Sequence, residues 1–201
     1  VVDQLALDYA GKPVVFLEYI NATAPDSRKG RFWAAYGGSS AGFPMIIADS
    51  GHQVQSGAVP YYNTYKALVD QESLRSPQAT VSATWQRTGN KVQIVIQIKN
   101  QSGVSLSFAL NKAAVHALVY EDAKVGVTSR YVRSAVSQNI TTSLAPGAVA
   151  DFTLETSELS GVNWDKLHYL ALVDYQPVSG SAYDLLQAAV ATPALAGKPE
   201  H

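Results

Sequence analysis

The residues able to do chemistry in this chain are few and scattered. None of its 201 residues is cysteine, so thiolate catalysis, thiolate metal ligation and disulfide formation are excluded from the start. The histidines are His52, His116, His168 and His201. None lies at metal-ligand spacing from another or from a carboxylate cluster, so no metal site and no cofactor are predicted. His116 and His168 fall inside runs that read as strands, where a hydrogen-bonded or solvent-facing imidazole is expected. Glu121-Asp122 is an isolated acidic pair and reads as an exposed turn rather than a calcium loop. Ser27 offers a hydroxyl that needs a neighbouring base before it can act as a nucleophile, and is expected to be structural.

The bulk composition narrows the partners. Fifteen basic and 16 acidic residues leave a net charge of -1, without the positive footprint of a nucleic-acid or anionic-surface binder. No run approaches the roughly 20 apolar residues of a membrane-spanning helix, so no transmembrane segment is predicted. The start, Val1-Val2-Asp3-Gln4-Leu5, lacks an initiator Met and a basic leader, and reads as a processed terminus. Only 15% of the residues are charged, while Ser, Thr, Gln, Asn and Tyr are plentiful. This balance predicts an extracytoplasmic protein, secreted or at the cell surface.

The elements that must position these side chains fall into two groups. Pro13 to Ile20 is a continuous apolar run, which predicts a strand buried on both faces. Thr23 can cap a helix over Arg28 to Tyr36. Phe43 to Ala48 and His52 to Gly57 read as strands joined by a tight turn at Asp49-Ser50-Gly51. Tyr61 to Leu74 reads as an amphipathic helix with Tyr61, Tyr65, Leu68 and Val69 on one face. The aromatic set Phe32, Trp33, Tyr36, Tyr61, Tyr62 and Tyr65 is expected to pack as core. Ser76-Pro77 marks the expected boundary.

Beyond it the period becomes two. Val81, Ala83 and Trp85 alternate, then Val92, Ile94, Ile96 and Ile98, with a hairpin turn between. Further strands are predicted over Val115 to Glu121, Ser129 to Gln138, Ala148 to Glu155, Leu167 to Tyr175 and Tyr183 to Ala191. About seven short strands with Ser, Gly, Pro and Asn in the turns indicate an immunoglobulin- or fibronectin-like β-sandwich. The expected organisation is α+β, with a small module at 1–76, a sandwich at 77–191 and a tail at 192–201. Asn21-Ala22-Thr23, Asn100-Gln101-Ser102 and Asn139-Ile140-Thr141 match the glycan acceptor pattern.

The order of elements over residues 14–74 resembles a shortened thioredoxin-like α/β module, and the whole is similar to bacterial exported proteins that fuse such a module to a sandwich. The resemblance places the family's redox pair at Ala24-Pro25-Asp26-Ser27, where both sulfur positions are small side chains. It places the cis-proline groove at Phe43-Pro44. It therefore implies a redox-inactive scaffold. The expected function is that of a non-catalytic structural or interaction protein, a subunit of a cell-surface or filament assembly. Two expectations support assembly. The shortened module should leave a sheet edge near Val14 to Ile20, which Val1 to Leu7 fills in its own chain or in another copy. Partner chains, in a homo-oligomer or a mixed assembly, are expected to hold one or both termini. The alternative is a redox-inactive relative or cysteine mutant of a thiol-disulfide oxidoreductase that binds extended peptides beside Pro44. A third is carbohydrate adhesion through the sandwich loops.

Overall fold

The computed structural model describes residues 1–19, 26–37, 44–57, 60–124, 126 and 128–194, with Asp26 and Ser27 described as helical backbone alone. The N-terminal segment contains α1 (Val2–Asp8), α2 (Asp26–Tyr36), a hairpin of β1 (Met45–Ala48) and β2 (Gln53–Ser56), and α3 (Tyr61–Glu72). Then come β3 (Ala79–Thr88), β4 (Lys91–Asn100), α4 (Phe108–Asn111), β5 (Ala114–Glu121), β6 (Tyr131–Asn139), β7 (Val149–Glu155), β8 (Leu167–Tyr175), β9 (Asp184–Val190) and β10 (Thr192–Pro193). Each of the seven strand runs expected after residue 77 forms a strand.

These strands make two four-stranded sheets in the orders β10-β3-β4-β7 and β6-β5-β8-β9. The alternation in β4 aims Val92, Ile94, Ile96 and Ile98 inward, each with no exposed surface. They meet Val115, Ala117 and Val119 of β5 and Tyr169, Ala171 and Val173 of β8 in one core. Each fully buried Val or Ile of this kind contributes roughly 1.5–3 kcal/mol. The β3–β4 hairpin closes through Gly89-Asn90, with Gly89 at φ +61°, a conformation a glycine adopts without strain. After β9 the chain changes sheets. Ala191 N–H donates to the Tyr169 carbonyl at 2.9 Å, and Thr192–Pro193 then runs parallel to Thr84–Trp85 of β3. The first residues of the expected tail are thus part of the sandwich, and Pro193, lacking an N–H, sits on a sheet edge where none is demanded.

The N-terminal segment departs from expectation. Val1 to Leu7 does not fill a sheet edge: Val2–Asp8 is helical and buries Leu5 completely against Tyr9, Tyr65 and Val69. Tyr9 also hydrogen-bonds Asp70, and Tyr62 hydrogen-bonds Asp8. The N-terminal helix is therefore packed on the chain's own α3. Residues 13–19 do not form a central strand either. Glu18 alone pairs, by a parallel bridge to Tyr131 at the edge of β6, donating its N–H to the Arg130 carbonyl at 2.9 Å and accepting from Val132 at 3.1 Å. The run is apolar on both sides because it lies between two clusters. Val14 and Phe16 pack with the helices, whereas Leu17 and Tyr19 pack on the outer face of the sheet. Its one ladder contact is with the first residue of β6, so residues 14–19 form no strand that could leave the expected edge. Among the described residues, the sheet of this segment is the β1–β2 hairpin alone.

Candidate functional site

Of the sequence-predicted redox positions, Ala24 and Pro25 lie outside the described residues, and Asp26 and Ser27 open α2 as backbone. Phe43 and Thr23 also lie outside them. Pro44 is exposed just before β1, and its carbonyl already accepts from the Gly57 N–H at 3.0 Å and the Tyr65 hydroxyl at 3.5 Å. Its acceptor is thus engaged by the chain's own hairpin and α3.

The structure gathers a different set. Arg28 and Arg31 share one face of α2 by their spacing of three, and that face lies on the outer side of the β6-β5-β8-β9 sheet. Asp174, near the end of β8, receives Arg28 Nη1 at 3.1 Å and Arg31 Nε at 2.7 Å on Oδ2, and stands 3.0 Å from His116 Nε2 through Oδ1. Neither Asp174 nor His116 has any exposed surface. Burial, reinforced by the two arginines and outweighing the pull of Asp174, depresses His116 to a pKa of about 4. Its imidazole is therefore neutral near pH 7, with Nε2–H donating to Asp174. Burial works to raise Asp174, but His116, Arg28 and Arg31 overcome it and hold the carboxyl well below its usual range. A buried carboxylate paired in this way is a fastening, since each charge depends on the others for its solvation.

A second fastening lies on the other side of the β1–β2 turn. Arg75 Nη1 reaches Asp49 at 2.8 Å and Glu72 at 3.3 Å, and Nη2 pairs with Asp184 at the start of β9. His52 Nδ1 lies 2.8 Å from Glu72. Burial raises Asp49 despite the opposing charge of Arg75. The turn itself holds Asp49 at φ +48° and Ser50 at φ +62°, conformations that cost about 1 kcal/mol or more per non-glycine residue. Arginines hold both: Arg75 grips Asp49, and Arg28 Nη2 reaches Ser50 Oγ at 3.3 Å. Gly51 completes the turn because a Cβ there would come within 2.5 Å of the Ala35 Cβ.

Other sequence-predicted residues sort as follows. Glu121 is not in an exposed turn. It ends β5, is 2% exposed, and accepts from Arg133 Nε at 2.6 Å and the Asn163 N–H at 2.8 Å, because it is the last residue of the predicted strand, paired with Tyr131 and Leu167, and not part of a turn. Asp122 is exposed and 2.9 Å from His168 Nε2, and the His168 ring stacks on Tyr120 at 4.8 Å. Asn100 is fully buried, donating to the Val104 and Leu144 carbonyls, which closes that acceptor site to a glycan. Asn139 is exposed. Tyr65 is core, whereas Trp33 keeps 40% of its surface exposed. Among the described residues no three His, Asp or Glu side chains gather as a metal would require. Nor is any helix there long and apolar enough to cross a membrane.

The Arg28–Arg31–His116–Asp174 cluster was not legible from spacing, since its members lie up to 146 residues apart. The signal present was an ionisable residue within each of two largely apolar runs, His116 in β5 and Asp174 in β8.

No protein-family model matches the sequence, and no curated protein matches it. Among solved structures the fold is similar to HBP35 of Porphyromonas gingivalis, with a TM-score of 0.50, 16% identity, 85% of this chain covered and 60% of that one. The chain thus spans less than two thirds of HBP35. A domain of the outer membrane lipoprotein Omp28 from Porphyromonas gingivalis matches at a TM-score of 0.38 and 16% identity over 59% of this chain and 90% of that one. β-Glucosidase 3B from Thermotoga neapolitana matches at 0.31 and 13% identity over 60% of this chain and 17% of that one. At these identities the likeness to HBP35 concerns the fold.

Proposed function

We propose that the chain is a non-catalytic interaction protein that works outside the cytoplasm, at a cell surface. The observation that carries this reading is the use made of the buried ionisable groups. His116, Asp174 and Arg28 are buried together, and Arg31 joins them on Asp174. They fasten the N-terminal segment to the sandwich, where a substrate has no access. The low charge content and the abundance of small polar residues favour export. The thioredoxin-like resemblance enters in reduced form: a redox-inactive brace whose hairpin turn is anchored to β9 and whose helix lies over β8.

Labelling intact cells with a membrane-impermeant amine reagent tests the location. The chain should react without lysis, and protection until the cytoplasm is opened would overturn the reading. Light scattering on the purified chain tests the assembly part, with a homo-oligomer expected. Restoring the family's pair as A24C/S27C and measuring disulfide reduction tests the alternative, a redox-inactive relative of a thiol-disulfide oxidoreductase, with no activity expected in the variant and no binding of extended peptides by the parent chain.

A further inference from the structure

The two sheets of the sandwich end on β10 and β7 in one and on β6 and β9 in the other. An open edge invites another strand, and folds guard it with short strands, prolines, bulges or a crossing segment. Three of these edges carry such guards. β10 is two residues long and ends in Pro193. β6 has Arg133 as the extra residue of a bulge, since Val119 and Tyr120 face Ser134 and Val132, and Glu18 bonds across its start. β9 is bulged at Leu186, whose carbonyl accepts the Gln78 N–H at 2.9 Å.

β7 lacks these guards. Its seven residues contain no proline and pair with β4 without a register shift, from Val149 opposite Lys99 to Glu155 opposite Gln93. Among the described residues, nothing bonds to the backbone on its far side. Hydrogen bonds at both ends of the ladder fix which way that backbone faces. The Asn100 N–H donates to the Ala148 carbonyl at 3.0 Å, and the Thr156 N–H donates to the Val92 carbonyl at 2.9 Å. The even-numbered residues between them therefore bond to β4, and both backbone groups of Val149, Asp151, Thr153 and Glu155 point away from it. The carboxylates on this strand are turned back to β4. Asp151 accepts from Gln97 Nε2 at 2.9 Å, and Glu155 pairs with Lys91 Nζ at 2.9 Å.

We propose that β7 pairs antiparallel with β7 of a second copy, about a two-fold axis at Phe152, joining two four-stranded sheets into one. The strand's own side chains select this occupant and its register. Bonding through the outward groups requires odd-numbered residues opposite odd-numbered ones. Centred on Asp151, the pairing sets that carboxylate against its own copy; centred on Thr153, it sets Asp151 against Glu155. Centred on Phe152, it sets Asp151 against Thr153 and Val149 against Glu155, so no carboxylate stands directly opposite another. Registers shifted further leave fewer residues paired. The same register places Ala150 opposite Leu154 and Phe152 opposite itself, on the side that packs against the core, where the half-buried Phe152 gains cover. A two-fold axis makes each contact twice. The inference rests on the reading of the chain as an interaction protein and gives it a partner and a surface.

The test is sedimentation of the whole chain over a range of concentrations, with a dimer expected. T153P removes an outward N–H and sets a ring on the edge while leaving the β4 ladder intact, and should weaken the dimer at least about tenfold. Unchanged melting of T153P keeps that comparison sound. Cross-linking reads the register without depending on T153P. The chain has no cysteine, and Asp151 and Thr153 are exposed, so D151C and T153C each introduce one thiol at a tolerant position. Residues facing each other in such a pair have Cα atoms about 5.5 Å apart, which suits a disulfide. Oxidising a mixture of the two variants should give cross-linked dimers, whereas each variant alone should give none. A monomer at every concentration would overturn the proposal, as would a dimer that T153P leaves intact or a mixture that does not cross-link. A dimer that survives T153P would place the contact elsewhere on the chain, and a monomer would remove self-pairing. Neither result touches the cell-labelling outcome, on which the surface reading stands.

Discussion

The two sheets of the sandwich share a core but differ on their outer faces. In β10-β3-β4-β7 the outer face is open, and β3 alternates Thr80, Ser82, Thr84 and Gln86 outward with Ala79, Val81, Ala83 and Trp85 inward. Its cross-strand contacts are polar and exposed: Gln86 with Gln93, Gln97 with Asp151, Lys91 with Glu155. In β6-β5-β8-β9 the outer face is covered. Leu118, Leu170 and Leu172 lie under Leu17 and Tyr19, and the polar end of that face, His116 and Asp174, lies under Arg28 and Arg31. A sheet with one covered face can alternate freely. A sheet covered on both must be apolar throughout, or must match every buried charge, and β5 and β8 do both.

This contrast is breakable at its strongest contact. Asp174→Ala should be the most damaging substitution, because it leaves the Arg28 and Arg31 guanidinium groups without their shared carboxylate. Removing one partner from a buried charge cluster costs about 4 kcal/mol, read as a fall in the urea midpoint, and the N-terminal segment should become the first target of protease. Leu118→Ala removes the centre of the apolar patch beneath Leu17 and should cost about 3 kcal/mol. A cost for Leu118→Ala no larger than that of an exposed position would show the outer face to be open in solution.

The same cluster makes stability depend on pH. The folded pKa of His116 is depressed to about 4 from an ordinary 6.5. Between those values the unfolded chain binds a proton that the folded chain refuses. The neutral imidazole's contribution is therefore fully present above pH 6.5, declines as the pH falls, and is lost by about pH 4, amounting to at most about 3 kcal/mol. Denaturant titrations across that window should show the decline in the parent and a flatter profile in His116→Gln. Equal slopes in the two would remove His116 as the source.

The open sheet was the legible part of the molecule. Period-two patterning located β3 and β4 with Val92 to Ile98 as core, because one face in water forces alternation. The covering of the other sheet is written in the same code: Ala114 to Tyr120 and Leu167 to Val173 are almost unbroken apolar runs, the signature of burial on both faces. Residues 13–19 carry a similar signature, but there it reflects a position between helices and a sheet face. α1 gave no signal because a helix of seven residues owes its existence to packing, here Leu5 on α3, rather than to propensity. The fastening charges were hidden by distance along the chain, since nothing local tells Arg28 that its partner is Asp174.

The smallest effect is the most discriminating. Val95 lies on the open face between Thr84 of β3 and Thr153 of β7, and is 43% exposed. Val95→Thr completes a row of three threonines whose hydroxyls can meet water or one another. It loses little burial and should change stability by no more than about 0.5 kcal/mol. The same exchange at Leu118 would put a hydroxyl among leucines and tyrosine with no water to satisfy it. A Val95→Thr cost approaching that of Leu118→Ala would mean that the open sheet is covered in solution after all. Because β4 is paired on both sides, with β3 and with β7, a cover over Val95 would have to lie on the face, not along an edge.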